Sequence, residues 1–152
     1  MLRHSLATLA YRAGKVLRDV PPDFSGFAAG SGSRSAGQIL AHMGDLMDWA
    51  ISIVNGKQTW HDSAPRLWEE DLSRFFEALV HFDQALATHG PDRRLEQKLF
   101  QGPVADALTH VGQLAILRRL AGAPIRGENY FVAEIAEGRV SADQAAPRRE
   151  FA

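Results

Sequence analysis

Apolar residues recur at three- and four-residue spacing in four stretches of this chain, and a Gly- or Pro-containing break closes each one. On a helix that spacing makes a stripe, and a striped helix has to bury its stripe against another element. Leu2, Leu6, Leu9, Ala13, Val16 and Leu17 define the first stretch, which stops before Pro21-Pro22. Residues 23–34 are rich in Gly and Ser and read as a loop. Ser35, followed three residues later by Gln38, has the spacing of a capping box that opens a second helix. Its stripe is Ile39, Met43, Leu46, Ala50 and Val54, ended by Asn55-Gly56.

Pro65 suits the first turn of a third helix, whose apolar side is Leu67, Leu72, Phe75, Phe76, Leu79, Phe82 and Leu86. Gly90-Pro91 ends it. Gly102-Pro103 opens a fourth, which runs to Ala121 and stops at Gly122-Ala123-Pro124. Neither strand alternation nor an internal repeat competes with this pattern. The expectation is one all-α domain, a four-helix bundle over residues 1–123 with a C-terminal extension over 124–152. Within the extension, GENYFVAEIAEGRV is expected to hold one short helix capped by Gly138. QAAPRREFA reads as an extended tail, packed over the bundle or a partner, or disordered.

Composition narrows the class. At 152 residues, 45% hydrophobic and 23% charged, the chain suits one soluble globular domain. No run approaches the roughly 18 apolar residues of a membrane span, and MLRHSLATLAYRAGKVL is too broken by polar residues for a signal peptide. A cytoplasmic protein without membrane contact is expected. Seventeen basic against 18 acidic residues give a formal net charge of −1, which offers nucleic acid no electrostatic footing. With no cysteine, thiolate metal sites and an internal thiol nucleophile are excluded.

The fourth stretch, DALTHVGQLAILRRL, carries the candidate site. Asp106 and His110 lie one helical turn apart and share a sector with Gln113, Leu117 and Leu120, while Val104, Leu108, Val111 and Ala115 lie opposite. A helix apolar on two sides is largely surrounded, and a buried carboxylate needs a partner. A divalent cation is the strongest one. His42, at the edge of the second helix's stripe, is a third candidate ligand.

Plainer readings compete. Asp106 and His110 make an ordinary surface pair worth a few tenths of a kcal/mol. Asp106 in a first turn complements the helix dipole without any metal. His42 alone is an ordinary boundary histidine. Asp45, one turn after His42, is placed either to orient that imidazole as a hydrogen-bond acceptor or to remain an exposed helix aspartate. His4, His61 and His89 suit solvated positions, and His81 either a core edge or a substrate contact. Trp49, Trp60 and Trp68 line a cleft or fill the core. Arg118 and Arg119 read as surface charges near a helix C-terminus, with anion recognition second.

The segments ILAHMGDLMDWA and DALTHVGQLAILRRLAGAP resemble the DinB/YfiT-like metal-binding superfamily of four-helix bundles, and the resemblance spans the first helix to about Pro124. It implies one divalent metal, most often zinc or nickel, held by a second-helix histidine and a His-xxx-His pair of the fourth helix. Those positions are His42, Asp106 and His110 here, so aspartate stands where the pattern has its first paired histidine. The carboxylate adds negative charge and hardness, which admits iron or manganese as well. The resemblance further implies metal-assisted chemistry on a small-molecule substrate, as in thiol-dependent S-transferases and isomerases, with a low-molecular-weight thiol arriving as co-substrate and Gln113 orienting the incoming group. The competing expectation is a non-enzymatic metal-binding or stress-related homodimer, paired through the aromatic third helix and the tail.

Overall fold

The computed structural model describes residues 1–151. Four helical rods account for its core, in the order the apolar spacing implies. They are α1 (Leu2–Leu17), α2 (Ala36–Val54), α3 (Trp68–His89), and a composite rod of α4 (Arg93–Leu99), a π-helical turn (Phe100–Val104) and α5 (Ala105–Leu120). Every stripe residue of α1 is buried, as are Ile39, Met43, Leu46 and Ala50 of α2 and Phe75, Phe76, Leu79, Phe82 and Leu86 of α3. Each fully buried Leu or Phe contributes about 1.5–3 kcal/mol relative to exposure, so the interlocked stripes dominate the packing. Among the described residues no helix is long and apolar enough to cross a membrane.

The α2 start follows the expected box. The Gln38 amide donates to Ser35 Oγ at 3.3 Å, and the Ser35 amide donates to Gln38 Oε1 at 2.8 Å. Asn55 closes α2 and Gly56 turns away at φ 75°. The third helix begins later than Pro65 suggested: Leu67 is its N-cap and is exposed. Arg66 and Leu67 donate their amides to the Asp71 and Glu70 carboxylates, and these bonds fix the start at Trp68.

The last rod departs most from expectation. It starts at Arg93, where the Asp92 side chain accepts from the Leu95 amide at 2.8 Å, well before Gly102-Pro103. Pro103 has no N–H to give and its ring crowds the preceding turn; the chain absorbs both by widening into the π turn rather than breaking.

Two arginines tie the rods together. Arg74 of α3 lies across α2, donating to Asp45, to Asp48 at 2.7 Å and to the Ala41 carbonyl at 3.4 Å. Gly44 makes room for it, since a Cβ there would sit 3.0 Å from Arg74 Nη1. Arg118 of α5 is buried, not a surface charge. Its guanidinium donates to the carbonyls of Val16, Arg18, Asp19 and Ala123 at 2.7–3.1 Å, satisfying the open end of α1.

Beyond α5 the chain folds back over α1. The expected short helix is a single 3₁₀ turn, Tyr130–Val132, and Gly138 caps no helix; it holds φ 89° in a separate turn. Glu128 pairs with Glu150 in an isolated antiparallel bridge. The buried Glu128 carboxylate accepts from Tyr11 Oη at 2.6 Å and Lys15 Nζ at 2.9 Å, and Lys15 also reaches Glu150 at 2.7 Å. Arg12 lies 4.3 Å above the Tyr130 ring. The tail therefore packs over the bundle, clamped by charge.

Candidate metal centre

His42 and Asp106–His110 come from two different rods and meet. One ligand atom from each of the three lies within 4.8 Å of the other two. His42 Nε2 is 3.6 Å from Asp106 Oδ2, and His110 Nε2 is 3.5 Å from Asp106 Oδ1. The imidazole rings stand perpendicular with centroids 5.0 Å apart. Local folding explains the meeting. His42 follows the buried Ile39 by three residues, while Asp106 and His110 flank the buried Ala107 on α5, so both faces turn toward the same seam.

Both separations are longer than a direct hydrogen bond, each histidine faces its own oxygen of Asp106, and the three residues are close enough to share an ion. A nitrogen and a carboxylate oxygen in a good bond sit about 2.8–2.9 Å apart. Two ligands each about 2.1 Å from one tetrahedral ion sit about 3.4 Å apart. The surroundings of the two histidines also bear on ligation. The His110 Nδ1 edge meets Gln113 Oε1 at 2.7 Å; with the amide oxygen turned this way, Nδ1 carries the proton and the Nε2 lone pair faces Asp106. Burial pushes His42 below the usual imidazole range, with help from nearby Arg34 and His110 and opposition from Asp106. His42 Nδ1 is buried with no partner among the described residues, so its outer support is weaker than that of His110. The donor set fits a divalent ion of intermediate hardness.

Several expectations need correction. Asp45 does not orient His42: its carboxylate is taken by Arg74 and by the amide and hydroxyl of Ser63 at 2.8 and 2.7 Å. Burial alone would raise the Asp45 pKa, but those donors hold it below the usual carboxylate range. The Asp106 side chain keeps 47% of its surface, so burial does not force a partner on it. Asp106 does lie in the first turn of α5, but helix already precedes it from Arg93 through the π turn, so the amides there are not a free helix end and the dipole effect is weakened. Trp60 packs edge-on against His42 at 5.6 Å and Trp49 against Trp60 at 5.8 Å, while Trp68 lies away, against Phe24. His4, His61 and His89 are exposed, and so is His81. The aromatic residues of α3 offered for dimer pairing face the core: Phe75, Phe76 and Phe82 are all buried.

Two hollows open beside the triad. One, of about 340 Å³, runs from His110 and Gln113 to Arg34. The other, of about 430 Å³, lies on the Asp106 side between Trp49, Gln101 and Thr109, against the π turn. Spacing alone gave no sign of Arg34; its only signal was a cation immediately before the α2 cap. No family model matches the chain, and neither curated proteins nor solved structures give a significant match.

Proposed function

We propose that this chain is a divalent-metal-binding helical bundle of the DinB/YfiT-like kind, with His42, Asp106 and His110 holding one ion. Zinc and nickel suit the two imidazoles, and the carboxylate extends the range to iron and manganese. The observation that carries the reading is the shared carboxylate, with both Nε2 atoms 3.5–3.6 Å from the oxygens of Asp106.

The activity we assign is thiol S-transfer, or related isomerisation or hydrolysis, on a small molecule. A bound ion would supply Lewis acidity, lowering the pKa of a thiol or water brought to it. Gln113 orients the His110 ring through Nδ1, and the half-exposed Asp106 leaves one side of the centre open. The two hollows give separate approaches for a low-molecular-weight thiol and its acceptor. A non-enzymatic metal protein is the second reading, and one observation favours it. Apart from the triad itself, the hollows are lined by no carboxylate or histidine that would serve as a general base.

Elemental analysis of untagged protein after reloading tests the centre. About one ion per chain is expected for wild type, falling in His110→Ala and Asp106→Asn; clearly substoichiometric metal in the wild type refutes the assignment. Metal-dependent turnover across a panel of thiols and electrophiles then separates the two readings, since a loaded but inert protein leaves the non-enzymatic one.

A further inference from the structure

The hollow on the His110 side has an uneven lining. Ile39, Ile116 and Leu117 give it apolar walls, and His110, Gln113 and Arg34 are its polar lining. Ile116 is 61% exposed and so offers apolar surface to whatever enters the hollow. Arg34 is exposed and makes no ion pair or side-chain hydrogen bond among the described residues. Arg74 and Arg118, which face the interior, are by contrast saturated by carboxylates or carbonyls. A free guanidinium beside an apolar wall matches a ligand that carries both an anion and hydrocarbon.

We infer that this hollow binds a small carboxylate- or phosphate-bearing molecule with an apolar body, its anion on Arg34 and its other end at the His110–Gln113 side. The inference rests on the metal-centre reading for what happens beside His110, but the binding preference itself does not. A guanidinium contact from an exposed arginine is worth about tenfold in affinity.

The experiment is an NMR titration of backbone amides with hexanoate, hexanol and hexylammonium, on protein stripped of metal and on protein reloaded with zinc. Hexanoate is expected to move the Gln113, Ile116 and Leu117 amides in both samples and to bind about tenfold more tightly than hexanol. Arg34→Gln should erase that advantage while leaving hexanol binding unchanged, and Ile116→Asn should weaken both. Arg34 lies in an exposed loop, so its replacement leaves the bundle intact. Hexylammonium binding as tightly as hexanoate overturns the proposal. A hexanoate preference that appears only with zinc and survives Arg34→Gln overturns it too, because the carboxylate then sits on the ion; the metal-centre reading would stand. Conversely, an Arg34-dependent preference in a chain that takes up no metal keeps the subsite and removes the centre. Ile116-dependent dimers that occlude the hollow at assay concentration also overturn it.

Discussion

Replacing Arg118 with methionine keeps most of the aliphatic stem and removes the guanidinium that joins the end of α5 to the end of α1. Four carbonyls lose a donor: Val16, Arg18, Asp19 and Ala123. Only the Val16 bond is fully buried, so that oxygen bears the desolvation penalty of an unsatisfied acceptor, about 1–3 kcal/mol. The other three are partly exposed and recover water, leaving about 0.5 kcal/mol each at the low end of the net scale. Burial taxes the arginine itself and holds its pKa down, which offsets a fraction of the loss. The sum is about 3 kcal/mol. With a urea slope of about 2 kcal/mol per M, the midpoint of unfolding should fall by about 1.5 M with the slope unchanged. Circular dichroism through a urea series reads this directly. Arg118→Lys retains the charge and one or two of the bonds, so it should lose about half as much. A methionine variant within 1 kcal/mol of wild type would refute the clamp, because the orphaned Val16 carbonyl alone should exceed that.

Two further predictions follow from the centre and the tail. Gln113→Leu should weaken metal affinity about 10–100-fold with little loss of helix content, since it frees the His110 ring without touching a ligand; competition against a chromophoric chelator measures it. An unchanged affinity would mean the ring is held by packing. Tyr11 is held protonated well above its ordinary value of 10.0, first by burial and then by the Glu128 carboxylate, and Lys15 is held charged by Glu150 and Glu128 despite its burial. Both folded pKa values are raised, so their stabilisation is complete below the ordinary values and is lost as pH rises from those toward the raised folded ones. Stability should therefore decline from about pH 10 upward, and Tyr11→Phe should flatten that slope in denaturation measured at stepped pH. A slope identical in the variant would assign the decline to other groups.

What the linear chain disclosed was what depends on near neighbours. The stripes, the Ser35–Gln38 box and the Asn55-Gly56 stop are all set within a turn or two, and each appears in place. His42 and the Asp106–His110 pair could be aligned because each histidine lies beside its own helix's buried residues. Asp45 was misread because its partners, Ser63 and Arg74, are 18 and 29 residues away and nothing local advertises them. Arg118 failed for the same reason: a last-turn arginine normally serves its own helix dipole, and this one serves the carbonyls of a helix about a hundred residues earlier. Glu128 became a buried partner only because the chain doubles back to Tyr11 and Lys15, 117 and 113 residues away. The wide turn at Pro103 was hidden because a proline after glycine more often starts a helix than sits inside one.

That turn sets an angular phase. Each residue of an α-helix advances the side chains by about 100°, and a π turn spends one residue more than a regular turn to travel the same rise. Everything after Val104 is thereby rotated by about 100° relative to an unbroken helix drawn from Arg93. The bulge acts as a vernier: by absorbing one residue it dials Asp106 and His110 onto the seam with α2, whereas the same residues wound as regular α-helix would carry both toward a neighbouring face and leave His42 alone at its side of the groove.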